Sequence, residues 1–215
     1  NSLALNRVTT TNNGEDGLEL NFINGASIPV GSVIDIGTFN LNGQHGVNLA
    51  VTDATIELSM TNSLVNMGAV SSASSNAGRG LNVTLNNATL SMPQVDNQTF
   101  KLNGGSGMHI QAATPSDFIS GNTFSNNEFS ENGSFGFRAI FNSGNFDIAL
   151  GEAGGGNLFS DNVGAAIAID MIQDTMGQLS IEDNVIVGTS NAVGNAVFNG
   201  EAIFIRQLGT VNPQQ

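Results

Sequence analysis

The chain repeats itself, and the repeat governs what it can fold into. Phe39 to Leu49 reads Phe-Asn-Leu-Asn-Gly-Gln-His-Gly-Val-Asn-Leu, Phe100 to Ile110 reads Phe-Lys-Leu-Asn-Gly-Gly-Ser-Gly-Met-His-Ile, and Phe129 to Ala139 reads Phe-Ser-Glu-Asn-Gly-Ser-Phe-Gly-Phe-Arg-Ala. The shared pattern is Phe-x-x-Asn-Gly-x-x-Gly, then an apolar, a variable and an apolar residue. Weaker copies run from Asn76 to Val83, with Ala73 in the Phe place, and from Phe159 to Gly164, one residue shorter. Terminal copies run from Asn13 to Leu20 and from Asn199 to Ile205. Taken as anchors, Gly17, Gly46, Gly80, Gly107, Gly136, Gly164 and finally Ala202 are separated by 29, 34, 27, 29, 28 and 38 residues. A second register, Asn127 to Asn132 against Asn157 to Asn162, is offset by 30. A period of this size is the signature of a solenoid, in which each repeat buries its apolar face only against its neighbours.

Within a copy the apolar residues alternate, as in Gly17 to Phe22, Gly46 to Val51 and Gly80 to Leu85. Period-two alternation marks strands with one buried face. Further strands are expected at Ala54 to Leu58 and Asn145 to Leu150, with Asn-Gly and Gly-rich turns between them. No stretch carries a helical period with caps. Three short strands per turn of about 30 residues, with no helix, predict an all-β parallel β-helix of about seven rungs. These residues resemble the right-handed parallel β-helix superfamily of pectate-lyase-like proteins, and most of all the β-helix repeat regions of large bacterial surface proteins. The resemblance covers nearly the whole chain and implies a single-stranded, right-handed coil. It implies a fold and leaves the activity open.

In such a coil one position recurs in the next rung about 4.8 Å away. Phe39, Phe100, Phe129 and Phe159 are then expected to stack as an interior aromatic column interrupted by Ala73. Asn127, Asn157 and Asn184 are expected at a corner, passing amide hydrogen bonds from rung to rung. Asn and Gly also tolerate the left-handed backbone of tight corners. The largest insertions are expected at Met60 to Asn76, Asp170 to Gln178 and Gly188 to Asn199.

Candidate chemistry sits on the outward positions of the strand that follows the anchoring Gly. One outward set is Glu19, Asn48, Asn82, His109, Arg138, Ala166 and Phe204, and the next is Asn21, Ala50, Thr84, Gln111, Ile140, Ala168 and Arg206. Asn82, His109, Gln111 and Arg138 would therefore cluster as a ligand-binding patch. On an acidic polysaccharide His109 would serve as the base and Arg138 as the cation that steadies the charge. Against this, the chain has no Trp or Tyr to stack on sugar rings, and Ile140 lies on the same face. A column of Asp16, His45 and Arg79 beside the anchoring Gly reads as a structural ladder, since it holds no nucleophile. Glu131 and Asp161 share a register 30 residues apart, so they form either a solvated acidic pair or a site for a calcium ion.

Composition narrows the function classes. Five Lys plus Arg against 18 Asp plus Glu give a net charge of −13, which excludes nucleic acid as a partner. No Cys is present, so disulfides and thiolate metal sites are excluded, and no apolar run is long enough to span a membrane as a helix. The chain opens without Met or a basic leader and closes on Asn212-Pro213-Gln214-Gln215. This suggests an excised segment of a larger secreted protein: one β-helix domain over 1–215 with a tail at 207–215. Regular repeats with sparse chemistry predict a structural or adhesive module rather than an enzyme, outside the cell or on its surface. Its expected partners are copies of itself or other surface proteins, with terminal rungs that resemble ordinary rungs and invite stacking into a fibre. The alternative is a carbohydrate-binding or polysaccharide-lyase-type β-helix acting on an acidic glycan.

Overall fold

Each copy of the repeat folds into one turn of a parallel β-solenoid, because alternating side chains put one face inside and leave the backbone to pair with the turns on either side. The structure, a computed structural model, describes residues 2–28, 31–35, 37–61, 71–173, 175–189 and 201–209. Among these are 24 strands and no helix, hence no helix long and apolar enough to cross a membrane.

All pairings are parallel and form three sheets that run the length of the coil. The sheet built by the outward-patch strands contains β3 (Leu18–Ile23), β7 (Val47–Thr52), β11 (Leu81–Asn86), β15 (Met108–Ala112), β18 (Phe137–Phe141), β21 (Ile167–Ile172) and β24 (Ile203–Leu208). We call it the face sheet. A second sheet holds the Phe column on β2 (Thr9–Thr11), β6 (Thr38–Asn40), β10 (Ser71–Ser72), β14 (Gln98–Lys101), β17 (Glu128–Ser130), β20 (Leu158–Ser160) and β23 (Val185–Val187). The third sheet has two tiers in the early turns, for example β4 (Ser27–Ile28) then β5 (Val33–Asp35), and β8 (Thr55–Glu57) then β9 (Ser59–Thr61). β12 (Thr89–Ser91) and β13 (Val95–Asp96) follow suit. From the fourth turn the tiers fuse into single strands, β16 (Asp117–Ser125), β19 (Gly144–Leu150) and β22 (Thr175–Ile181). The early turns thus have four strands where three were expected. Gly121, at φ +66, marks the transition: β16 still shifts register between Phe118 and Asn122, whereas β19 and β22 pair without interruption.

The expected aromatic column is present. Phe100 and Phe129 stack at 5.0 Å, and Phe129 and Phe159 at 4.8 Å and 6°. All are fully buried, in one core that runs from Ile34 to Ile169. Asn127, Asn157 and Asn184 form the expected corner ladder, each Nδ2 donating to the next Oδ1 at 2.9–3.0 Å. A longer ladder runs beside it. Asn13, Asn42, Asn76, Asn103, Asn132 and Asn162 are the motif asparagines, linked Nδ2 to Oδ1 at 2.8–3.0 Å across steps of 29, 34, 27, 29 and 30 residues. The residue before each, from Asn12 through Leu41, Ser75, Leu102 and Glu131 to Asp161, has φ between 53° and 58°. A left-handed residue thus turns the corner and aims the next side chain inward.

The anchoring position is tight. A Cβ on Gly80 would lie 2.5 Å from the Gly107 carbonyl oxygen, and one on Gly136 2.7 Å from that of Ala166. That last neighbour corrects the register of the sixth turn. Phe137 pairs with Ile167, so the anchor is Ala166 and not Gly164. Asp170 to Gln178 is likewise no insertion: its ends belong to β21 and β22. The other two expected insertions fall mainly on residues 62–70 and 190–199, outside the described residues. At the far end, Gln207 and Leu208 complete β24, and residues 210–215 are outside the described set.

Candidate functional site

The corrected register re-forms the outward columns of the face sheet. One runs Glu19, Asn48, Asn82, His109, Arg138, Ala168 and Phe204, and the next runs Asn21, Ala50, Thr84, Gln111, Ile140, Asp170 and Arg206. Asn82, His109 and Arg138 therefore lie on consecutive turns, as expected, and each is only 7% exposed. Gln111, beside His109, is exposed. The residues that precede the anchoring position stack alongside and help to bury this outer column.

A directional chain of hydrogen bonds occupies the early half. Arg79 Nη1 donates to Asn82 Oδ1 at 2.5 Å, Asn82 Nδ2 to Asn48 Oδ1 at 2.9 Å, and Asn48 Nδ2 to Asp16 Oδ2 at 2.9 Å. Two neutral amides thereby connect a guanidinium to a carboxylate. The Asp16, His45 and Arg79 column joins through the backbone: His45 N donates to Asp16 Oδ1 at 2.8 Å and Arg79 N to His45 Nδ1 at 3.0 Å. Accepting at Nδ1 keeps His45 neutral, and burial lowers its pKa against the pull of Asp16.

The late half is an ion network that sequence reading missed. Asp170, 2% exposed, receives Arg138 Nη2 on one oxygen and Arg206 Nε on the other, the latter at 2.7 Å. Burial alone would raise the Asp170 pKa, but hydrogen bonds from Arg138 and Arg206 bring it below the ordinary carboxylate value. Arg138 also lies 5.5 Å over the Phe135 ring, and Arg206 5.7 Å over Phe204. A usable signal was present. Each anchoring Gly from Gly17 to Gly136 lies four positions after its ladder Asn, and Asn162 points by that rule to Ala166. Aligning on Gly164 instead moved Ala168 into the place of Asp170 and hid the pairing.

His109 stands between the halves. Burial, with Arg79, Arg138 and His45 adding repulsion, pushes its pKa down to about 3, and its Nε2 is closed to solvent with no hydrogen-bond partner. It is a neutral ring wedged among cations.

Glu131 and Asp161 occupy adjacent places in the left-handed corner column. Glu131 Oε1 meets Lys101 Nζ at 2.8 Å, and Glu128 lies 4.0 Å from the same amine. The hydrogen bond that Lys101 donates to Glu131 and the surrounding acids raise the Lys101 pKa. Among the described residues no group of three or more His, Cys, Asp or Glu side chains is placed to hold a metal ion. Compared with family models, curated proteins and solved structures, the chain has no match.

Proposed function

We propose that the chain is a structural or adhesive segment of an extracellular or cell-surface protein, a rod that continues by stacking turns head to tail on a second copy. The observation that carries this reading is the contrast along two interior columns. Ile167 and Ile169 are fully buried, whereas Ile203 and Ile205, their partners one turn later, are 42% and 46% exposed. Among the described residues, β3 and β24 each have one edge without a partner strand. Such edges pair readily with another strand.

The polarity of the Asn ladder supports the geometry. In each amide-to-amide link from Asn13 to Asn162 the earlier Nδ2 donates to the later Oδ1, so head-to-tail stacking keeps this direction and head-to-head stacking opposes it. The joint would set Arg206 close to Glu19 and Asn21, an attractive contact in a chain of charge −13. Light scattering after size exclusion, with electron microscopy of each peak, tests the proposal. Rods in multiples of roughly 34 Å are expected, seven rungs at the inter-strand spacing, and a single 22.2 kDa species at every concentration refutes it. Lys101 already answers Glu131, so assembly should not require calcium. A calcium-dependent rise in thermal stability would instead place an ion at Glu131 and Asp161.

A further inference from the structure

Away from His109, a groove follows the corner between the face sheet and the adjoining tier of the third sheet. Its first part has a volume of 570 Å³ and crosses four turns. Ala26, Ala54 and Ala88 stand at equivalent places on its floor, Ala54 and Ala88 buried in the core. Beside them Ser27, Thr55, Thr89 and Asp117 stand in strict register on successive turns. Asp53 and Asn87 rise on the other flank, where Asn87 Nδ2 donates to Asp53 Oδ1 at 2.6 Å. A second cavity of 410 Å³ is lined in part by Asn145, which is tied to the first by donating from N at 2.8 Å and from Nδ2 at 3.2 Å to Asp117 Oδ1. That part is lined by Asp147 and by Met176, which is 70% exposed.

We infer that this groove binds an uncharged, extended oligosaccharide along the solenoid axis. Hydroxyls and carboxylates recur once per turn, about 4.8 Å apart, and an extended β-linked hexose chain advances by close to one ring in that distance. A peptide strand rises only about 3.3 Å per residue and falls out of step. Sugar hydroxyls both donate and accept, which suits a wall of Thr, Ser, Asn and Asp, while the exposed Met176 thioether takes the C–H face of a ring. Among the described lining residues are Asp53, Asp117 and Asp147 and no Lys or Arg, so an anionic glycan is repelled. The proposal thus selects a different ligand and a different face from an acidic glycan at His109 and Arg138. It does not depend on end-to-end stacking.

The test is amide chemical-shift mapping on the ¹⁵N-labelled chain with cellohexaose, chitohexaose, laminarihexaose and mannohexaose, and with hexagalacturonate as the acidic control. At least one neutral hexaose is expected to shift Ser27, Thr55, Thr89 and Asn145, with a Kd of roughly 1 mM, since a few net hydrogen bonds carry the affinity. Thr89→Arg, which lays a long side chain across the groove, should weaken binding about tenfold or more at unchanged Tm. If that variant does not fold, Thr55→Arg serves the same purpose. The inference is overturned if no neutral hexaose moves this column, if the blocked variant binds as well as wild type, or if only hexagalacturonate binds.

Discussion

The wedge of His109 among cations makes a pH prediction whose sign and size follow from the structure. Replace His109 by Asn, which is neutral at all pH values and is the residue found at 48 and 82 in the same column. In the unfolded chain the imidazole titrates near 6.5, whereas in the fold burial beside Arg79, Arg138 and His45 pushes it to about 3. Between those values the unfolded state holds a proton that the native state refuses, so stability falls as pH drops below 6.5 and recovers as pH rises. At pH 5 the gap to 6.5 corresponds to about 2 kcal/mol, and at pH 4 to about 3 kcal/mol, at 1.36 kcal/mol per unit. His109→Asn lacks this loss. Relief of repulsion on approaching the pI of 4.1 affects both proteins alike and cancels in the difference. The assay is urea unfolding of wild type and variant from pH 7.5 to 4. The variant should gain about 2 kcal/mol on wild type between pH 7.5 and 5. A difference that stays constant within about 0.5 kcal/mol refutes the reasoning, as does an NMR titration of the His109 ring with an ordinary midpoint.

Other perturbations reach other parts of the coil. Asn132→Leu should cost about 4 kcal/mol by denaturant midpoint, because it strands the Asn103 amides, the Phe100 carbonyl and Asn162 Oδ1 in a site with no exposure. Leu102→Asn should raise stability by about 1 kcal/mol, since a half-exposed Leu at φ 56 holds a left-handed place that Asn12 fills at lower strain. Asp170→Asn should lose about 3–5 kcal/mol by weakening the pairing of buried Arg138, while Arg206→Ala, whose side chain is 39% exposed, should lose no more than about 1 kcal/mol. A double-mutant cycle on these two positions would show whether the network acts as a unit.

Much of this architecture was legible because a solenoid writes its contacts into the sequence at a fixed spacing. Phe100, Phe129 and Phe159 stack because they share a register, and that register is visible without coordinates. Legibility failed where one kind of anchor was trusted over another. The anchoring position needs a small side chain, which Ala166 supplies as well as Gly, so glycine spacing is a loose ruler. The ladder asparagine must both donate and accept between turns, so its identity is strict from Asn13 to Asn162, and it alone would have revealed Asp170. The other misses concern properties that no spacing encodes. The fusion of two tiers at β16 depends on how far a corner opens, and the depressed pKa of His109 depends on how deeply an outward residue is covered by its own turn.

The charge distribution follows from the same columnar order. Three of the five Lys and Arg residues, Arg79, Arg138 and Arg206, gather with both histidines on the outside of the face sheet, while Asp53, Asp117 and Asp147 line the corner groove. Stacking every 4.8 Å makes like charges costly unless each finds a counterpart on an adjacent turn. On the face sheet those counterparts are Asp16 and Asp170, with Asn48 and Asn82 as neutral spacers. His109 occupies a place where no carboxylate is at hand, and the column tolerates it there only as the uncharged ring. In the groove no Lys or Arg is among the described lining residues, and the acids are answered by neutral donors instead: Asn87 for Asp53, Asn145 for Asp117 and the Gly121 amide for Asp147. On the face sheet Arg138 and Arg206 are thus paired with a carboxylate, whereas the groove acids stand beside neutral donors. Those two circumferential faces therefore present different chemistry to the solvent, even though one repeat built both.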